Sequence, residues 1–262
     1  MERPLIELML LAAGLAAGAL NTLAGGGSFI VFPALLAAGV PPVIANASNT
    51  YAALPGYVSG AIGFWADLMK ERRRLLAYSV VSLVFGYAGA ELLLMVSNEV
   101  FNRIVPWLML FAVTLFAFGG RISAAVQRLG SGRRGAAAAG TAALLALLAA
   151  LCVYGGFFNA GLGIMLLAFL ALAGLTDIHA MNGLKLWVSS IVAAVAVVRF
   201  AMSGSIDWYH GSIALAGVVT GGYVAARLAH RVPEALIRLL VIIYGMGLTA
   251  WFFWDAYGAG MA

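Results

Sequence analysis

An all-α integral membrane protein is the fold class the sequence predicts, built from two inverted-topology repeats of about five hydrophobic segments each, some of them broken or short. Three observations predict it. The 262-residue chain is 64% hydrophobic and 10% charged, with a mean hydropathy of +1.02, which excludes a soluble globular domain. Polar interruptions divide the chain into ten apolar segments, most close to the roughly 20 residues that a membrane-spanning helix needs. A single register of 135 positions pairs the two halves, as Gly39 with Gly174.

The segments of the first half run over 5–24, 29–38, 43–65, 75–96 and 101–118, and those of the second over 136–158, 164–173, 178–201, 211–226 and 235–254. The first segment lacks a small-residue cleavage site and reads as a retained span. Residues 1–120 form the N-terminal repeat and 136–262 the C-terminal one. The Arg-, Gly- and Ser-rich stretch over 119–135 is the expected linker, taken as 121–135 between the repeats. The register also pairs Leu35 with Leu170, Ala45 with Ala180, Gly86 with Gly221, Glu99 with Glu234, Arg103 with Arg238 and Thr114 with Thr249.

Charge decides the relative direction of the repeats, because Lys and Arg in short loops mark the cytoplasmic side. Lys70, Arg72, Arg73 and Arg74 make one loop strongly basic, whereas the matching stretch over 203–209 has no Lys or Arg. The next loop, 97–103, is nearly neutral, and its counterpart contains Arg227, His230 and Arg231. The bias swaps sides, so the repeats are expected to be inverted, with a cytoplasmic linker and both termini outside.

Asn21, Thr22, Leu23, Ala24, Gly25, Gly26, Gly27 and Ser28 interrupt the first apolar run. Backbone released from helical pairing inside a bilayer persists only where protein or a wet cavity satisfies it, so the break reads as the floor of a binding site. Close helix packing through glycine is the alternative. Under the 135-residue register the break falls on a second one at Ala160, Gly161, Leu162 and Gly163. Paired broken segments point to a transporter site. The starts of the short helices after each break would present unpaired amides to an anion. Whether those short segments cross the membrane fully is left open.

Lys185 lies within the apolar segment over 178–201, with Asn182 on the same helix face. An intramembrane ammonium beside an amide suits an anion, and snorkelling of the lysine to the interface is the alternative. Its register partner is Thr50, inside a polar group with Asn46, Ser48, Asn49 and Tyr51. These read as anion donors or as interhelical contacts. The substrate-binding set is therefore Lys185, Asn182, Asn49, Asn46, Asn21, Gly26, Gly27, Ser28, Gly161, Gly163 and Thr50. Asp177 is expected to cap the helix that carries Lys185, Arg199 to snorkel, and Glu91 to be interfacial or paired, with a proton relay as a further reading.

No phosphate-binding loop occurs, which excludes an ATP-driven pump in one chain. Cys152, the one cysteine, and three scattered histidines give no metal set, and no cofactor or metal is expected. The net charge of +5 reports orientation and not nucleic-acid binding.

The sequence resembles the sulfite exporter TauE/SafE family. The resemblance rests on residues 21–28 with Pro33 and the Gly39, Val40, Pro41, Pro42 run, on residues 154–163, on residues 176–185, and on residues 204–208. Asn159 departs from the small residue more usual in the second glycine element, which implies altered substrate shape or an added hydrogen bond. The resemblance implies a multi-pass permease of the bacterial inner membrane, exporting sulfite or an organosulfonate such as sulfoacetate by alternating access. It implies no enzyme. An anion channel on the same scaffold, or a membrane-embedded enzyme or assembly factor without transport, are the alternatives. The partners are a small anionic substrate and the lipid bilayer; the identity of the anion, a coupled proton or Na+, and a homodimer are left open.

Overall fold

The computed structural model describes residues 2–23, 26–130, 137–228 and 234–258. Gly25, residues 131–136 of the linker and residues 229–233 of the basic counterpart loop lie outside them. The protein is an all-α membrane protein, 89% helical and without strands among the described residues. Among the described residues, five stretches are long and apolar enough to cross a membrane by length and composition: Arg3–Asn21, Trp65–Met95, Asn98–Phe118, Gly140–Phe157 and Ile178–Met202.

The helices are α1 (Arg3–Leu23), α2 (Ser28–Ala37), α3 (Pro42–Gly63), α4 (Trp65–Leu68), α5 (Arg72–Met95), α6 (Asn98–Gly130), α7 (Ala137–Phe157), α8 (Leu162–Leu172), α9 (Ile178–Met202), α10 (Trp208–Leu228) and α11 (Glu234–Tyr257). A short 3-10 turn, Met69–Glu71, joins α4 to α5. One boundary departs from expectation: α6 runs through Gly119 and Gly120 to Gly130, so the helix occupies most of the stretch read as linker. Two glycines cost a helix about 1 kcal/mol each, and the Ala, Gln, Arg and Leu residues that follow favour its continuation.

Two pairs of parallel helices are packed backbone to backbone. Along α1 and α10, a Cβ on Gly18 would stand 2.0 Å from the Val218 carbonyl oxygen, and one on Gly221 2.0 Å from that of Leu15. Along α5 and α7, a Cβ on Gly89 would stand 2.1 Å from the Val153 carbonyl oxygen, and one on Gly156 2.2 Å from that of Gly86. Small residues allow such approach where lipid supplies no hydrophobic force between helices.

Between these pairs α3 packs against α9 in the opposite direction. The start of α3 is held by Asn98, whose Oδ1 accepts from the Val43 amide at 3.0 Å, and Ser48 accepts from the Asp207 amide at 2.9 Å. Its far end places Phe64 over His179, in the first turn of α9, at 6.1 Å. The molecule therefore has two polar faces. Lys70 reaches Asp177 at 3.7 Å and Arg74 donates to the Ala173 carbonyl at 3.1 Å on one of them. On the other, Tyr209 bonds Glu7, and Arg3 lies over the Tyr209 ring at 5.0 Å.

Asp177 caps α9 as its position predicts, accepting from the amides of His179 at 2.9 Å and Ala180 at 3.4 Å. The His179 amide, helped by Ala180 and Lys70, holds the Asp177 carboxyl below the usual carboxylate range.

The short helices start inside the protein. At 1.5 Å per residue, the 10 residues of α2 and 11 of α8 cover about 15–17 Å, half of a hydrocarbon core about 30 Å thick. They leave toward opposite faces, α2 toward Asn98 and α8 toward Lys70. Each is turned back by a left-handed glycine, Gly39 at φ +85° and Gly174 at φ +86°, a conformation that a Cβ disfavours.

Arg199 and Glu91 form an ion pair, one of the readings expected for Glu91. The Arg199 Nε and Nη2 donate to the two carboxylate oxygens of Glu91 at 2.5 and 3.1 Å, joining α9 to α5. The side chains are 23% and 25% exposed, so the pair is partly covered between the two helices. Glu91→Gln is expected to lower Tm in detergent, because it strands the guanidinium; Glu91→Gln with Arg199→Gln should recover part of the loss. A single variant as stable as the double one would remove the pair from the fold's support.

Candidate functional site

The first break places Gly26 at φ +124° and starts the hydrogen-bond ladder of α2 at the Phe29 amide, which donates to the Gly26 carbonyl at 3.0 Å. Gly27 belongs partly to packing, since its Cβ would stand 2.6 Å from the Ala17 carbonyl oxygen of α1. Beside it lies a tight recess of about 10 Å³, room for about one water, lined by Asn21, Gly27, Ser28, Asn49 and Tyr57 among apolar neighbours. Ser28 and Asn49 are buried, and the Asn49 Oδ1 atom has no partner. Buried amides without partners are costly, so this recess is set for a polar occupant.

The second break lies on the far side of Tyr57. The Tyr57 hydroxyl, which lines the recess with Ser28, donates to Asn159 Oδ1 at 3.2 Å. Asn159 is 2% exposed and its Nδ2 donor has no partner. Gly161, at φ +82°, then turns the chain into α8, and the Tyr154 hydroxyl fixes the turn by donating to the Ala160 carbonyl at 2.8 Å. Gly163 follows in the first turn of α8, and a Cβ there would stand 3.5 Å from Cδ of Lys185. Lys185 thus lays its aliphatic stem across the start of α8 and donates from Nζ to Asn182 Oδ1 at 2.9 Å.

The expected site residues divide into three groups. Asn21, Gly27, Ser28 and Asn49 share the recess, with Gly26 forming the turn beside them. Lys185, Asn182, Gly161 and Gly163 gather at the second break. Asn46 and Thr50 do neither. Asn46 donates from Nδ2 to the Phe157 carbonyl at 2.8 Å, satisfying the broken end of α7, although its own Oδ1 is unpaired. Thr50 donates to the Asn46 carbonyl one turn back at 3.1 Å, so its hydroxyl is used by its own helix.

Two residues outside the expected set connect the groups. Tyr57 was hidden in an apolar run where a lone tyrosine is an ordinary interior residue. Asn159 was visible as a polar side chain inside a glycine break, without its partner. Together they form a line of neutral polar groups from the recess to the second break, where Lys185 lies across the start of α8, and groups of this kind can replace part of the hydration shell of a small anion.

The chain matches the family described as sulfite exporter TauE/SafE over residues 10–252. It is 28% identical over 267 residues to a protein named probable membrane transporter protein YfcA from Escherichia coli (strain K12), covering 98% of this chain and 93% of that protein. A probable membrane transporter protein from Haemophilus influenzae is 28% identical over 249 residues, covering 94% of each chain. One from Sinorhizobium sp., named ORF9, is 28% identical over 242 residues, covering 92% of this chain and 89% of its own. No solved structure matches the chain.

Proposed function

The chain belongs to the sulfite exporter TauE/SafE family, as a multi-pass membrane transporter and not an enzyme, and we propose that it exports a small sulfur-containing anion by alternating access. Sulfite, or an organosulfonate, is the proposed cargo. One observation carries this reading: two half-length helices begin in the interior from opposite faces, and Tyr57 links the buried donors beside one start to Asn159 beside the other.

The proposed mechanism rests on two inverted repeats. Supporting it, α1, α2, α3, α5 and α6 correspond in order and position to α7, α8, α9, α10 and α11 under the 135-residue register. The close pairs are exchanged between halves, α1 with α10 and α5 with α7, and so form two units that can tilt about the α3 and α9 pair. The Lys70, Arg72, Arg73 and Arg74 face is assigned to the cytoplasm of a bacterial inner membrane by its charge. A negative interior then favours export by about 2.3 kcal/mol per elementary charge per 100 mV.

Purified protein in liposomes is expected to give saturable sulfite efflux above that of empty vesicles. The cargo should also stabilise the detergent-solubilised protein, by about 2.7 kcal/mol at one hundred times its Kd. Flux indistinguishable from empty vesicles, with no thermal shift by any small sulfur anion, would overturn the reading.

A further inference from the structure

Resting on that proposed anion site, we infer that its cargo crosses as a monoanion and that dianions are rejected. The ground is a charge balance. Among the described residues, Arg199 is neutralised by Glu91, Arg103 by Glu99 and Arg3 by Glu7. Lys70 and Arg74 pair with Asp67 and Glu71 at one polar face, where Arg72 and Arg73 are exposed. Lys185 alone among the described bases lies in the interior with its ammonium on a neutral amide and no carboxylate within ion-pair distance. The other polar side chains placed at the two breaks, Asn182, Asn21, Ser28, Asn49, Tyr57 and Asn159, are dipoles without net charge.

The unpaired and buried Nδ2 of Asn159 points independently to an occupant with acceptor oxygens. Such an occupant leaves water, and the Born cost of doing so rises with the square of its charge, about four times as much for a dianion as for a monoanion. One ammonium cancels one unit. A monoanion beside Lys185 is therefore neutralised, while a dianion leaves a full negative charge facing amides and hydroxyls alone. Hydrogen sulfite and simple alkanesulfonates satisfy the balance. Sulfite dianion, sulfate, and sulfoacetate with its added carboxylate do not.

Flux of methanesulfonate, a permanent monoanion, is to be measured in proteoliposomes at one fixed pH beside that of sulfate and sulfoacetate, with the charge moved per solute read from the dependence on an imposed potential. Methanesulfonate should outrun either dianion by at least about tenfold and move one charge per molecule. Lys185→Gln should reduce methanesulfonate flux without raising that of the dianions. Sulfate or sulfoacetate carried as fast as methanesulfonate, two charges per solute, or dianion flux that rises in Lys185→Gln would overturn the charge rule and leave the anion reading standing. Absence of flux with every anion, sulfite included, would remove the anion reading and this inference with it.

Discussion

Replacing Lys185 by Met is expected to reduce anion flux at subsaturating concentration by at least about thirtyfold, with the protein still folded. Removing one member of a buried charge pair costs about 2–5 kcal/mol, and every 1.4 kcal/mol is about a factor of ten. Met keeps the unbranched stem that lies across Gly163 and removes the charge that holds Asn182. Lys185→Arg keeps the charge with a broader head and should retain intermediate flux. The space at Gly163 sharpens the test: a Cβ there meets the lysine stem at 3.5 Å, an ordinary contact, so Gly163→Ala should be nearly silent while Gly163→Val displaces the ammonium. Thr50→Val should also be nearly silent, because the Thr50 hydroxyl is bonded to its own helix. Unchanged flux in Lys185→Met, measured on protein with normal Tm, would remove the ammonium from the transport path.

Why Lys185 was legible and Tyr57 was not follows from what each residue costs. A lysine in an apolar segment is expensive wherever it points, so its presence alone signals a compensating arrangement. A tyrosine is inexpensive in an apolar interior, and its importance here comes from a hydroxyl bonded to Asn159, 102 positions away. The partner of Arg199 is hidden for the same reason, since the carboxylate that holds it is 108 positions distant. The glycine turns at Gly39 and Gly174 were legible because positive φ is a local demand that few residues meet. Thr50 and Asn46 share a polar run with Asn49, but hydrogen bonding within α3 and to Phe157 takes them out of the recess. Composition fixes that a helix is polar, and only its packing decides which polar atoms remain for a ligand.

Gly221→Leu and Gly89→Leu should each prevent accumulation of folded protein, the largest stability effects expected in this chain. The obstacle is backbone: a Cβ at Gly221 would stand 2.0 Å from the Leu15 carbonyl oxygen, and one at Gly89 2.1 Å from that of Val153. No rotamer change relieves such a clash, so α1 must part from α10, or α5 from α7, along their lengths. Overpacking a core by a methylene or two costs about 1–3 kcal/mol, and separating two helices forfeits far more contact than that. Gly140 and Gly247 are the controls, since an added Cβ meets nothing within 4 Å at either. Gly140→Ala and Gly247→Ala should be neutral or stabilising by up to about 1 kcal/mol, through helix propensity. Comparison of yield and Tm after detergent extraction separates the two kinds of glycine. The two crossings join corresponding helices under the 135-residue register, although the register partner of Gly221 is Gly86 and not Gly89, so their losses should be similar. If one crossing accepted leucine and the other did not, the halves would bear unequal loads, and a pair of matched units tilting about α3 and α9 would no longer describe how the compartment opens to either side.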